Sequence, residues 1–188
     1  MITRADAWQL LTEHVESHSL RKHMLAVEAA MRAYAQKYGG DAEEWGIAGL
    51  VHDFDYEKHP YPDPAAKTGH PFEGVKILKE KGYPDSIIDA ILGHALYSGT
   101  PRESQMAKCL FACDELCGFI TAIGHMRPDH LVSVTPETVK KYLKKKKFAE
   151  KVSREDIAQG IAELGIPEDE HIALVIGAMQ GIAGELGF

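Results

Sequence analysis

The sequence predicts an all-α protein that folds as a single domain of about eight or nine helices over residues 1–188. Apolar residues recur at helical spacing along most of the chain, and the alternating apolar and polar pattern of β-strands is absent. Residues that commonly begin helices precede these periodic segments, and glycines follow several of them. With 188 residues, 45% of them hydrophobic, the chain is long enough to bury the core that such a domain needs.

Three helices are predicted in the first third of the chain, over residues 4–15, 20–38 and 42–53. Trp8 and Leu11 share one apolar face of the first helix. The glycine pair at 39–40 ends the second helix, and Asp41 caps the third. Residues 54–69 contain three prolines, so we expect an irregular loop there.

Six further helices are predicted after this loop. We expect them over residues 71–81, 84–96 and about 101–123, then from Thr135, from Ser153, and from Pro167 to about Leu186. Gly82 ends the first of these helices. The segment Thr100–Glu103 has the pattern of a capping box with proline in the first helical position, which predicts the start of the third.

The overall charge excludes some classes of partner. The chain carries 21 lysine and arginine residues against 28 aspartate and glutamate residues, a formal net charge of −7. This balance is unfavourable for non-specific binding to nucleic acid or to an anionic membrane. We interpret the lysine-rich run at 140–147 as an exposed helix face, with binding of an anionic ligand or nucleic acid as the alternative.

The sequence also predicts the cellular compartment. No segment reaches the ~18 consecutive apolar residues of a transmembrane helix, and residues 1–15 lack the pattern of a secretory signal. The three cysteines, at positions 109, 113 and 117, lie on one short segment, which favours core residues over a disulfide framework or a zinc site. We therefore expect a cytoplasmic protein that does not bind membranes.

Histidine is unusually frequent, with 10 residues in the chain. Several histidines and aspartates fall on the apolar face of a predicted helix, where burial of an unpaired polar group is unfavourable. A single histidine in such a place is more commonly a hydrogen-bonded core residue. The whole set has one common explanation, because imidazole and carboxylate groups are good ligands for divalent metals. The candidate metal ligands are His23, His52, Asp53, His70, His94 and Asp114.

These residues, in this order, resemble the HD superfamily of metal-dependent phosphohydrolases, which includes uncharacterised HD-domain hydrolases. The adjacent His52 and Asp53 match the doublet that gives the superfamily its name. The segment His70–Gly74 is similar to the His-x-x-x-Gly helix start of its members. The resemblance covers a metal-site core of about residues 18–120, and a C-terminal helical extension over about 125–188 follows it.

The resemblance implies two divalent metal ions, with Fe, Mn, Co, Ni, Zn and Mg all left open. It assigns the first ion to His23, His52, Asp53 and Asp114. It assigns the second ion to His70 and His94, with Asp53 bridging the two. A carboxylate suits the bridging position because each of its two oxygens can bind one ion.

Four residues are candidates for catalysis or substrate binding, and one of them is also a candidate metal ligand. Asp53 is the first candidate catalytic residue. Family members often have a short turn with glycine and lysine after this aspartate, and residues 54–58 of this chain differ from it. Within residues 54–58, we expect Asp55 to support catalysis as a carboxylate that contacts a metal ligand rather than the metal. We expect Lys58 to bind a phosphate group. The alternative for both residues is a solvated loop. Arg102 is a second candidate for substrate binding, since a guanidinium group can bind two phosphate oxygens.

The activity implied by the resemblance is hydrolysis of a small phosphoester or nucleotide, in which a metal-bound hydroxide attacks phosphorus. Ala95 follows His94 where some cyclic-dinucleotide phosphodiesterases of the family have a second histidine, which disfavours that substrate class. Three alternatives remain: a dinucleoside polyphosphate hydrolase, a di-iron oxygenase of the HD fold, and a non-catalytic nucleotide-sensing module. The expected partner is a small phosphorylated substrate.

Overall fold

The chain forms ten α-helices and no β-strand within residues 2–188, the part that the computed structural model describes. This result confirms the predicted all-α fold. The helices are α1 (Arg4–His14), α2 (His18–Tyr38), α3 (Ala42–Val51), α4 (Phe72–Glu80), α5 (Asp85–His94), α6 (Gln105–His125), α7 (Pro136–Leu143), α8 (Arg154–Leu164), α9 (Glu168–Gly181) and α10 (Ala183–Leu186). None of the helices in these residues combines the length and apolar character needed to cross a membrane.

Side-chain caps begin most of the helices. A serine, threonine or aspartate oxygen accepts a hydrogen bond from a backbone N–H of the first turn, which would otherwise lack a partner. The capping residues are Thr3, Ser17, Asp41, Ser104, Thr135 and Ser153. At the other end, Gly39 and Gly165 adopt left-handed backbone conformations, with φ of 69° and 66°, and end α2 and α8.

The helix predicted to open at Thr100–Glu103 opens later than expected. The hydroxyl of Ser104 caps the first turn, so that α6 begins at Gln105. The side chain of Arg102 instead donates two hydrogen bonds to Glu163 of α8, at 2.7 and 2.6 Å. This long-range ion pair holds the segment outside the helix, and local sequence does not reveal it.

The last predicted helix, from Pro167 to about Leu186, is divided into α9 and α10. The break falls at Ile182, whose φ of −121° and ψ of 21° lie outside the helical range. Gly181 and Gly184 flank it, and glycine weakens a helix by about 1 kcal/mol relative to alanine. This division raises the number of helices to ten.

Helices α2 and α6 form the centre of the fold. Each has 21 residues and they pack against each other, while α3 and α9 pack on α2, and α5 and α8 pack on α6. Met24, Met31, Leu110 and Phe119 are among the side chains buried in this core. The three cysteines of α6 are buried there as free thiols, in agreement with their interpretation as core residues.

Helix α8 approaches α6 closely. A Cβ atom on Gly160 would lie 2.6 Å from the Cα of Ala112, so only glycine permits this contact. At the start of α8, the backbone N–H of Ser153 donates to the carboxylate of Glu115 at 3.1 Å. The first turn of α8 is therefore fixed against the middle of α6.

His171 links α9 to both central helices. The Tyr34 hydroxyl of α2 donates to Nδ1 of His171, and Nε2 of the same ring donates to the Ala112 carbonyl of α6 at 3.1 Å. The ring has no exposed surface. Burial lowers the pKa of His171 to about 4, so the ring is neutral at pH 7.

We expect His171 to make the protein lose stability as the pH falls from 6.5 to about 4. In this range the unfolded chain binds a proton at His171 that the folded chain does not bind, so acid favours unfolding. The loss is roughly 3 kcal/mol, at about 1.4 kcal/mol for each pH unit. Urea denaturation at several pH values measures it.

The control for this prediction is His171→Gln. Its amide can still accept from Tyr34 and donate to Ala112, but it does not titrate. The variant should lose about 3 kcal/mol less than the wild type over the same pH range. Equal losses in the two proteins would contradict the prediction.

Candidate metal centre

The six predicted ligands come from five separate places in the fold and converge on one cavity. His23 lies on α2, His52 and Asp53 follow the last turn of α3, His70 precedes α4, His94 is the last residue of α5, and Asp114 lies on α6. Helix α3 packs closely on α2 at Gly49, which has no side chain. A Cβ atom at this position would lie 2.9 Å from the backbone of Val27 and Glu28. This approach sets the rings of His23 and His52 5.2 Å apart.

Four of these side chains form a first group. Nε2 of His23 lies 2.9 Å from Oδ1 of Asp114, and Nε2 of His52 lies 3.4 Å from the same oxygen. Oδ2 of Asp53 lies 3.5 Å from Nε2 of His52 and 3.9 Å from Nε2 of His23. One ligand atom from each residue lies within 4.8 Å of all the others, so the group can surround a single ion.

The second group shares Asp53 with the first. Oδ1 of Asp53 lies 3.2 Å from Nε2 of His70 and 3.4 Å from Nε2 of His94. The two Nε2 atoms lie 3.1 Å from each other. Asp53 therefore directs one oxygen to each group, which is the arrangement that a carboxylate needs to bridge two ions.

Hydrogen bonds on the far side of the His52 and His94 rings leave Nε2 as the metal-facing atom of both. Nδ1 of His52 donates to the Gly49 carbonyl at 2.8 Å, and Nδ1 of His94 donates to the Ile91 carbonyl. A neutral imidazole with its proton on Nδ1 has a lone pair on Nε2. Nε2 of His52 is buried and has no hydrogen-bond partner within residues 2–188. A metal ion would satisfy this orphaned nitrogen, so the donor set fits a cation.

Asp55 supports the second group from behind. Its carboxylate is buried, accepts from Nδ1 of His70 at 2.7 Å, and accepts from the backbone N–H of Gly74 at 2.7 Å. A Cβ on Gly74 would lie 2.8 Å from the carboxylate carbon of Asp55, which explains the glycine of the His-x-x-x-Gly segment. Asp55 does not line the cavity. Asp55 is therefore a positioning residue for His70, and its burial does not fit the alternative of a solvated loop.

The structure does not support the two predicted substrate-binding cations. Lys58 is exposed, and its ammonium group donates to the Glu13 carbonyl at 3.3 Å, away from the cavity. The guanidinium of Arg102 is occupied by Glu163 and stacks on the ring of Phe111, 3.9 Å from its centroid. Each of these side chains therefore has a partner outside the cavity.

The charges of the two aspartates dominate the electrostatics of the site. Burial disfavours the charged form of His52, but Asp53 and Asp114 outweigh this effect and raise the pKa of His52 to about 9. The ring therefore carries a proton at pH 7 when no ion is bound, and a metal ion would displace this proton from Nε2. Burial opposes ionisation of the two carboxyl groups as well, whereas the histidines hold the pKa of Asp53 and of Asp114 below the usual range. Both aspartates are therefore carboxylates at neutral pH, as metal ligands must be.

A cavity of about 400 Å³ opens onto these groups. This volume lies within the range of small-molecule sites. Its outer wall contains aromatic and aliphatic residues as well as two further carboxylates, which sequence reasoning missed. These residues are Tyr56, Leu96, Tyr97, Phe111, Glu115 and Asp156. The hydroxyl of Tyr97 donates to the His70 carbonyl at 3.0 Å.

Glu115 is a missed carboxylate whose pKa is clearly perturbed. Burial and the neighbouring charge of Asp114 raise the pKa of Glu115 to about 7. Its position directly after Asp114 was the only signal that could have identified it. Asp156 carried no signal at all, because an acidic residue in the first turn of a helix is common.

The fold and the site together define an all-helical protein with two His/Asp groups that can hold metal ions. A family model described as HD domain matches residues 20–118, more than half of the chain, and the chain belongs to this family. HD domains are typically metal-dependent hydrolases. Comparison with curated proteins and with solved structures found no match.

We expect the double variant His70→Ala with His94→Ala to lose one metal equivalent and keep the other. The substitutions remove two ligands of the second group and leave His23, His52, Asp53 and Asp114 in place. Elemental analysis of protein loaded with metal and then dialysed measures the number of ions. The matched control is His18→Ala with His59→Ala, which removes two exposed histidines outside both groups. Two equivalents in the double variant would rule out the two-group assignment.

We expect Asp55→Asn to weaken binding at the second group only. An amide has one acceptor where the carboxylate has two, so either His70 or Gly74 loses its partner and the ring of His70 is no longer fixed. Loss of such a support typically lowers metal affinity by about 10- to 100-fold. Calorimetric titration of the metal-free protein measures both sites. Asp89→Asn, an exposed substitution on α5, should bind as the wild type does, and an unchanged second affinity in Asp55→Asn would contradict the assigned role.

Proposed function

We propose that this protein is a divalent-metal-dependent phosphohydrolase that acts on a small phosphoester or nucleotide. The observation that carries the proposal is the placement of Asp53, which offers one oxygen to each of two groups of histidines. A site that only ties helices together is normally closed by its protein ligands. Here the groups open onto a cavity large enough for a small substrate.

The residues of the chain have separate tasks in this proposal. His23, His52, Asp53 and Asp114 would hold one ion, and Asp53, His70 and His94 would hold the other. Divalent ions held there would supply activation of a water molecule and stabilisation of charge on phosphoryl oxygens. Asp55 keeps His70 in place, and Tyr97 fixes the backbone of the same residue. The side chains of Leu96 and Phe111 line the cavity with apolar surface.

The most direct test measures phosphate release from a panel of nucleotides and phosphoesters, with Mn, Co, Fe, Ni, Zn and Mg each added separately. The proposal expects hydrolysis of small phosphoesters with at least one of these ions. Oxygen consumption by the iron-loaded protein, with no phosphate release, would instead identify the oxygenase alternative. Binding of nucleotides without any turnover would identify a sensing module.

We expect Asp53→Ala to abolish the metal-dependent phosphatase activity and to lower the melting temperature of the metal-loaded protein. The substitution removes the only carboxylate shared by the two groups, so fewer ions bind and less stabilisation by bound ligand remains. Phosphate release and thermal denaturation measure the two effects. Asp89→Ala, on the exposed face of α5, serves as the control. Turnover at the wild-type rate in Asp53→Ala would refute the proposal.

A further inference from the structure

The wall of the cavity contains no lysine or arginine among residues 2–188. The two cations that the sequence suggested for phosphate binding are held elsewhere, Lys58 by the Glu13 carbonyl and Arg102 by Glu163. Beyond the candidate ligands, the charged residues of the wall are Glu115 and Asp156, and both are acidic. A phosphate group bound outside the metal groups would therefore have no positively charged partner.

The formal charges of the metal ions and their carboxylate ligands indicate how many phosphate groups the site can bind. Two divalent ions, the carboxylates of Asp53 and Asp114, and one doubly charged phosphoryl group leave no net formal charge. A second phosphate would add negative charge beside Glu115 and Asp156, in a partly enclosed cavity where uncompensated charge is unfavourable.

The two acidic residues are held in the wall by the backbone. One oxygen of Glu115 accepts the N–H of Ser153 at 3.1 Å, and Ser153 is the cap of the helix that carries Asp156. The same wall also contains uncharged side chains. Tyr56, Leu96 and Tyr97 offer aromatic and aliphatic surface to an organic group. Carboxylates can accept hydrogen bonds from the hydroxyl groups of such a group, but they repel phosphate.

We propose that Glu115 and Asp156 act as a charge filter that admits phosphomonoesters of an uncharged, hydroxylated organic group and rejects substrates with a second phosphate. This inference rests on the proposed function. It favours nucleoside monophosphates or sugar phosphates over nucleoside triphosphates and dinucleoside polyphosphates. Glu115 and Asp156 are specificity-determining residues in this proposal, and neither holds a metal.

The test compares a nucleoside monophosphate with the corresponding diphosphate and triphosphate at pH 8, above the pKa of Glu115, with Mn²⁺ as the metal and free Mn²⁺ kept constant. The wild type should have a kcat/KM about tenfold or more higher for the monophosphate. The double variant Glu115→Gln with Asp156→Asn should reduce this preference by about tenfold, because it removes both negative charges and keeps the side-chain size.

Glu155→Gln is the matched control, since it removes one negative charge from the same helical turn but does not line the cavity. It should keep the wild-type preference. Asp156→Asn alone should reduce the preference by a smaller factor, and it provides the test if the double variant does not fold. Thermal denaturation shows which variants are folded.

A binding measurement separates this inference from the proposed function. Calorimetry with a phosphonate isostere of the monophosphate and a methylene-bridged diphosphate should show tighter binding of the phosphonate, and Glu115→Gln with Asp156→Asn should remove the difference. If no phosphoester is hydrolysed, the proposed function fails while this measurement still tests the filter. Equal preference in the wild type and the folded double variant, or a wild-type preference for polyphosphates, would overturn the inference.

Discussion

The contact between Asp53 and the four histidines around it is the constraint on which the rest of the site depends. Four imidazole rings meet in a largely buried space, and a buried nitrogen without a partner costs about as much as a lost hydrogen bond. Asp53 faces all four Nε2 atoms at 3.2 to 3.9 Å and supplies their counter-charge. Asp114 adds a second carboxylate, 2.9 Å from Nε2 of His23 and 3.4 Å from Nε2 of His52.

The precision of the site comes from backbone contacts outside it. Carbonyl groups of α3 and α5 set the proton positions on His52 and His94, and Asp55 does the same for His70. Gly49 and Gly74 permit these approaches because a side chain at either position would collide with its neighbour. Rigid helices therefore hold the ligand atoms before any ion binds, which is the condition for strong and selective metal binding.

The sequence could predict most of the fold and the convergence of the six candidate ligands, because helix caps and polar residues on apolar faces are local signals. It could not predict partners that lie far away along the chain. Arg102 pairs with Glu163, 61 residues later, so its guanidinium already has a partner outside the cavity, and α6 starts later than predicted. Tyr97 and Asp156 were missed for the same reason, since only the tertiary packing brings them to the cavity.

The position of α8 has a consequence for how this protein could diverge from its relatives. The segment that matches the HD family ends at residue 118, yet Asp156 on α8 contributes to the cavity wall. The close contact at Gly160 brings this later helix onto α6. One acidic residue of the cavity wall is therefore encoded outside the stretch that supplies the candidate metal ligands, and selection can change it without altering those ligands.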